Sequence, residues 1–114
     1  MRVFVYYNLH KNLWSIKALE GDKKNLVIRH QRALTLEGVT FKVSEAGRQR
    51  VLREKRKNVH AGAVGNWVAH DPSITGRRVT YNPYRGSTFV DRETGEPVTH
   101  GAKVRFSGNE VYAS

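Results

Sequence analysis

Cysteine is absent from this 114-residue chain, which excludes a disulfide framework, a cysteine-ligated zinc site and a thiol nucleophile. Acidic residues are scarce, 10 against 20 Lys and Arg. Prolines number three and methionine one, so neither Pro-rich linkers nor Met-rich grooves are available. No run approaches the roughly 18 apolar residues of a membrane helix. The N-terminus, a single Arg followed by Val3 to Tyr7, is too short and too polar beyond Tyr7 for a signal peptide. A soluble, cytoplasmic protein is expected. At this length the residues form one domain, 1–114, with a single modest core, and no internal repeat interrupts it.

What is abundant is positive charge, and it is unevenly placed. The formal net charge is +10; residues 1–43 carry +5, residues 44–60 carry +4, and residues 61–114 only +1. A solubilising surface mixes both signs, whereas a one-sided excess in the first 60 residues points to a polyanionic partner, a nucleic acid or a nucleotide.

Most of the chain reads as strand. Val3 to Tyr7 is β-branched and aromatic on both faces, and Leu13 to Leu19 resumes the pattern after a turn at His10-Lys11-Asn12. Further strands are expected at Leu26 to Ile28, Leu34 to Leu36 and, after a break at Glu37-Gly38, at Val39 to Val43, where Val39, Phe41 and Val43 alternate inward. Val59 to Val68 is small and apolar, and its Gly62 and Gly65 mark a strand closely approached by another backbone or a ligand. Short strands at Arg78 to Tyr81, Thr88 to Val90, near Val98, Lys103 to Phe106 and Val111-Tyr112 complete the series. The fold class is α+β: a mostly antiparallel sheet or partly closed barrel with one principal helix near residues 45–57.

That helix has a legible start. Ser44 is a fitting N-cap, Glu45 lies where the helix dipole favours an anion, and Arg56 and Lys57 lie where it favours cations. At about 100° per residue, Arg50, Arg53, Arg56 and Lys57 share one arc, while Val51 and Leu52 face a sheet on the other side. One face is thin and apolar, the other strongly cationic.

The five histidines, His10, His30, His60, His70 and His100, show no metal-ligand spacing, so no metal or cofactor is expected. Gly62-Ala63-Val64-Gly65 lacks the phosphate-cradling Gly-x-Gly-x-x-Gly pattern. His10 and His60 adjoin cationic segments, where a histidine pair would serve as acid and base on a phosphodiester. Of the aromatics, Trp14, Trp67, Phe4, Phe41, Phe89 and Phe106 are expected to supply core volume. Tyr6, Tyr7, Trp14, Tyr81 and Tyr84 interleave with cations, and Tyr81 and Tyr84, around Asn82-Pro83, suit a surface contact.

Asn8-Leu9-His10 with Trp14-Ser15, Phe41 to Arg48 running on to Lys57 to Ala61, and Tyr81 to Tyr84 with Phe89 to Asp91 resemble strings in small bacteriophage proteins of uncharacterised function. The resemblance spans most of the chain and implies expression in an infected bacterium; it carries no catalytic residue. The expected function is a non-enzymatic nucleic-acid-binding module, RNA ahead of DNA. Arg50, Arg53, Arg56 and Lys57 would contact phosphates together with Lys11, Lys23, Lys24, Arg29 and Arg32, and Tyr84 would add a ring. The alternatives are a metal-independent ribonuclease using His10 and His60, and a phage inhibitor of a host protein or nucleotide signal.

Overall fold

The computed structural model describes all residues, 1–114. Nine strands form one antiparallel sheet: β1 (Arg2–Asn8), β2 (Leu13–Ala18), β3 (Val27–Gln31), β4 (Ala33–Val43), β5 (Ala61–Val68), β6 (Arg77–Thr80), β7 (Val90–Asp91), β8 (His100–Ser107) and β9 (Glu110–Ala113). Their spatial order is β3-β2-β1-β5-β4-β8-β9-β6-β7. The single helix, α1 (Glu45–Glu54), leaves the end of β4. The α+β, mostly antiparallel expectation is met by an open sheet; no ladder closes it into a barrel.

The sheet nevertheless rolls. Trp14 on β2 and Phe106 on β8 pack edge to face with ring centroids 5.0 Å apart, although four strand spacings, about 19 Å along a flat sheet, separate their strands. Arg29 on β3 likewise lies 5.7 Å over the Trp67 ring on β5. Arg32 alone separates β3 from β4, so the chain bends there and brings both ends of the first five strands onto one concave face. That face holds the core, including Val3, Val5, Ile16, Leu34, Leu36 and Val104, each fully buried. Trp14, Phe41 and Phe106 supply its large rings, while Trp67 and Phe89 are half-buried and pack against it. Phe4 is half-buried and outside this cluster.

Several boundaries depart from the local pattern: the strand expected at Thr88 to Val90 is confined to Val90 and Asp91, and three further departures have a visible cause. The two segments expected on either side of Glu37-Gly38 are one strand, β4, because Gly38 takes φ +59° and the pairing with β5 shifts between Glu37 and Thr40; an extra residue is absorbed as a bulge rather than a turn. No strand forms at Val98, whose backbone N–H instead donates to the Phe89 carbonyl. Val59 lies outside β5 and is exposed. Gly62 and Gly65 confirm the close approach: a Cβ on Gly62 would stand 2.4 Å from the Val5 carbonyl oxygen, and one on Gly65 would stand 2.9 Å from that of Glu37.

Candidate nucleic-acid interface

Helix α1 begins as its residues dictate. The Ser44 hydroxyl accepts from the Gly47 N–H, Glu45 sits in the first turn, and Glu45 accepts from both Arg48 and Gln49. These bonds, that from Gln49 foremost, hold the Glu45 carboxyl below its ordinary value. The helix ends earlier than expected. Lys55 turns left-handed at φ +55° and donates its N–H to the Val51 carbonyl, so Arg56 and Lys57 lie beyond the last turn and do not extend the helical arc. Residues 53 to 58 contain no apolar side chain to anchor another turn, and continuing it would stack Lys57 over Arg53, a like-charge pair.

Only Val51 of the helix is buried, and it lies outside the main core. The helix is fastened instead at its first half. The Arg48 Nε donates to the Pro83 carbonyl at 2.9 Å, and Gly47 sits so close to His60 that a Cβ would come within 2.6 Å of it. From His60 a series of rings runs into the core: His60 to Tyr81 at 5.5 Å, Tyr81 to Phe89 at 5.1 Å, and Phe89 to Phe41 at 5.0 Å. Tyr81 is therefore half-buried, and its burial raises the phenol pKa above the usual value. Tyr84 is the exposed ring of this segment, at 64%.

Beyond that anchor the cations stand free. Arg50, Arg53, Lys55, Arg56 and Lys57 are all exposed, and none is paired with a carboxylate; the helix's one ion pair joins Arg48 to Glu45. Lys11 lies in the β1–β2 turn, and the antiparallel register Val5 to Ala63 and Val43 to Ala61 puts that turn at the same end of the sheet as α1. Lys23 and Lys24 lie in the β2–β3 turn, at the opposite end of the β1–β2 hairpin. Arg29 faces Trp67 on the concave side, and Arg32 is exposed at the β3–β4 bend. The nine cations singled out from sequence thus divide, with the helix segment forming the concentrated group and Lys11 at the same end of the sheet.

All the histidine rings but that of His10 are engaged in hydrogen bonds of their own. His60 Nδ1 lies 2.8 Å from the Asn58 carbonyl and Nε2 lies 2.7 Å from the Tyr81 hydroxyl, an arrangement in which Nδ1–H donates to the carbonyl and Nε2 accepts from the phenol. Both nitrogens are occupied. His10 is exposed in its turn and its ring makes no hydrogen bond; its backbone N–H donates to Asn8. His30 Nδ1 meets the Ser15 hydroxyl at 2.8 Å, but Ser15 is fully buried and therefore ties β2 to β3. No three His, Asp or Glu side chains gather closely enough to hold a metal ion.

A second polar cluster went unnoticed in the sequence because its members are far apart along the chain. Arg78 pairs with Glu110, Tyr112 donates its hydroxyl to the same carboxylate, and Arg105 lies 4.2 Å over the Tyr112 ring. The Tyr112 bond, with the charges of Arg78, Arg92 and Arg105, keeps Glu110 below the ordinary carboxylate value. These residues are consumed by one another and pin β6, β8 and β9 together. No helix of the chain is long and apolar enough to cross a membrane.

A family described as Mycobacterium phage L5 gene 82 protein matches residues 1–114. The gene 82 protein of Mycobacterium phage L5 is 40% identical to this chain over 121 aligned positions, covering 100% of this chain and 96% of the relative. No solved structure matches. The bacteriophage resemblance seen in the local strings thus extends over the full length.

Proposed function

This chain belongs to the family of the Mycobacterium phage L5 gene 82 protein, and we propose that it is a nucleic-acid-binding protein, RNA ahead of DNA, whose main phosphate contacts come from α1 and the segment after it. The observation that carries the reading is the exposed group Arg50, Arg53, Lys55, Arg56 and Lys57, unpaired with any carboxylate. Exposed cations left unneutralised by the protein are free to neutralise phosphates, and the cations condensed on the nucleic acid are then released, which drives binding at low salt. The preference for RNA follows from the helix's side chains: it offers Gln49 alone as an amide to read base edges in a duplex major groove, and Gln49 is hydrogen-bonded to Glu45.

Labelled RNA and duplex DNA titrated at several salt concentrations test it. Affinity falls by about 10²-fold or more over a fourfold rise in salt. Arg50→Glu combined with Arg53→Glu removes most of the binding while circular dichroism and melting temperature stay near the wild type, because both side chains are exposed and surface changes alter stability by about 0.5 kcal/mol. Absence of binding at low salt, or binding indifferent to salt, overturns the reading.

A further inference from the structure

The core draws its rings from the concave face of the sheet, yet β1 carries two more on the other side. Phe4 and Tyr6 alternate with Val3 and Val5, which are fully buried, so they project from the convex face. Both are half-buried, and neither belongs to the core cluster nor packs against it. Their centroids are 6.0 Å apart with planes inclined by 33°. Gly62 has no side chain to lift them: a Cβ there would come within 2.6 Å of the Phe4 ring, so the glycine lets that ring lie close on the sheet.

The pairing register sets a lysine on each side of the rings. Phe4 pairs with Lys17 on β2, and Gly62 pairs with Lys42 on β4. Lys17 lies between the buried Ile16 and Ala18, and Lys42 follows the buried Phe41, so both project from the convex face with the rings. Neither lysine is paired with a carboxylate. His30, against Ser15 and across from Tyr6, stands at the rim. Lys42 also lies two residues before the helix cap Ser44.

We propose that the convex face of β1 and β5 is a base-stacking platform for single-stranded nucleic acid, with Phe4 and Tyr6 receiving unstacked bases and Lys17 and Lys42 holding the backbone on either side. The inference deepens the nucleic-acid reading and rests on it. Aromatic faces beside cations suit single strands because every base has a π-face to stack, whereas the bases of a duplex are stacked on one another and inaccessible to a flat surface.

The test compares a labelled single-stranded RNA, the same length of abasic strand, and a duplex at one low salt concentration. Wild-type protein binds the single strand about tenfold or more tighter than the abasic strand. Phe4→Leu with Tyr6→Leu, which keeps apolar cover over Gly62, abolishes that difference and leaves the salt slope unchanged. Tyr6→Leu alone, checked by melting temperature, reports the same loss in part if the double variant folds poorly. Lys17→Ala with Lys42→Ala lowers the salt slope and keeps the preference for bases. Equal affinity for abasic and ordinary strands, equal affinity for duplex, or leucine variants that discriminate like the wild type each overturn the platform while leaving nucleic-acid binding in place. No binding to any strand overturns both.

Discussion

Gly62 and Trp14 are two residues at which the packing is exacting. At Gly62 even a methyl group meets the β1 backbone at 2.4 Å, and backbone in a paired strand cannot swing aside. Gly62→Ala therefore costs about 1–3 kcal/mol, read from urea unfolding, through forced separation of β1 and β5. Trp14 is a different case. Its ring is wedged between Tyr7 and Phe106, yet its Nε1–H is buried with no hydrogen-bond partner. Trp14→Phe removes that orphan donor along with part of the ring, so its cost stays below about 1.5 kcal/mol, whereas Trp14→Ala opens a cavity and costs about 3–5 kcal/mol. A phenylalanine variant as unstable as the alanine variant contradicts this account. His60 belongs to the same scale. With Nδ1 held by Asn58 and Nε2 by Tyr81, the ring joins the helix entry to the 81–89 segment, and His60→Ala lowers the melting temperature by leaving the half-buried Tyr81 hydroxyl without its partner.

At the scale of elements, α1 is attached but not integral. It buries Val51 and little else, while the sheet has its own continuous core. Val51→Asp accordingly frees the helix and leaves the sheet folded: helical circular dichroism falls, amide protection in residues 45–54 is lost, and β1, β4 and β5 keep theirs. Ser44→Ala acts in the same place, costing about 1 kcal/mol of helix stability because the Gly47 N–H loses its acceptor. Global unfolding in either variant counts against a weakly seated helix. The start of this element was legible in Ser44 and Glu45, since an N-cap is a local bond between neighbours in sequence. Its end was not. Arg56 and Lys57 look helical by spacing, and Lys55 has no residue-type preference for the left-handed region; the stop comes from a run that offers the helix charge and nothing to bury.

For the whole molecule, charge sets the response to pH. Glu110 has an ordinary value of 4.5 and is held lower by Tyr112 and the surrounding arginines. A group lowered on folding stabilises the folded state above its unfolded pKa, and that contribution fades as pH drops from about 4.5 through the lowered value. Glu45, lowered in the same sense, adds to the same acid limb, and Asp71, whose carboxylate accepts from the Ser73 hydroxyl and N–H and is held below its ordinary 3.8, adds to its lower part. Glu110→Gln therefore reduces stability at neutral pH and makes the loss of melting temperature below pH 4.5 shallower; an unchanged acid limb refutes the role. By itself the amino-acid order determined the α+β class, most of the strands though not all their bounds, the helix start, the close approach at Gly62 and Gly65, and the excess of positive charge in the first 60 residues. Alternation, caps and composition act over a few neighbours and need no fold to be read. Only the tertiary structure decided that the sheet rolls until Trp14 reaches Phe106, that the cations at Lys23 and Lys24 sit apart from those of the helix, and which side of β1 is the core. Both faces of Val3 to Tyr7 are apolar, so the pattern along that strand cannot choose between them. The choice falls to the neighbours, because Ile16 and Ala63 in register with Val5 close one side, while Lys17, Gly62 and Lys42 leave Phe4 and Tyr6 on the other.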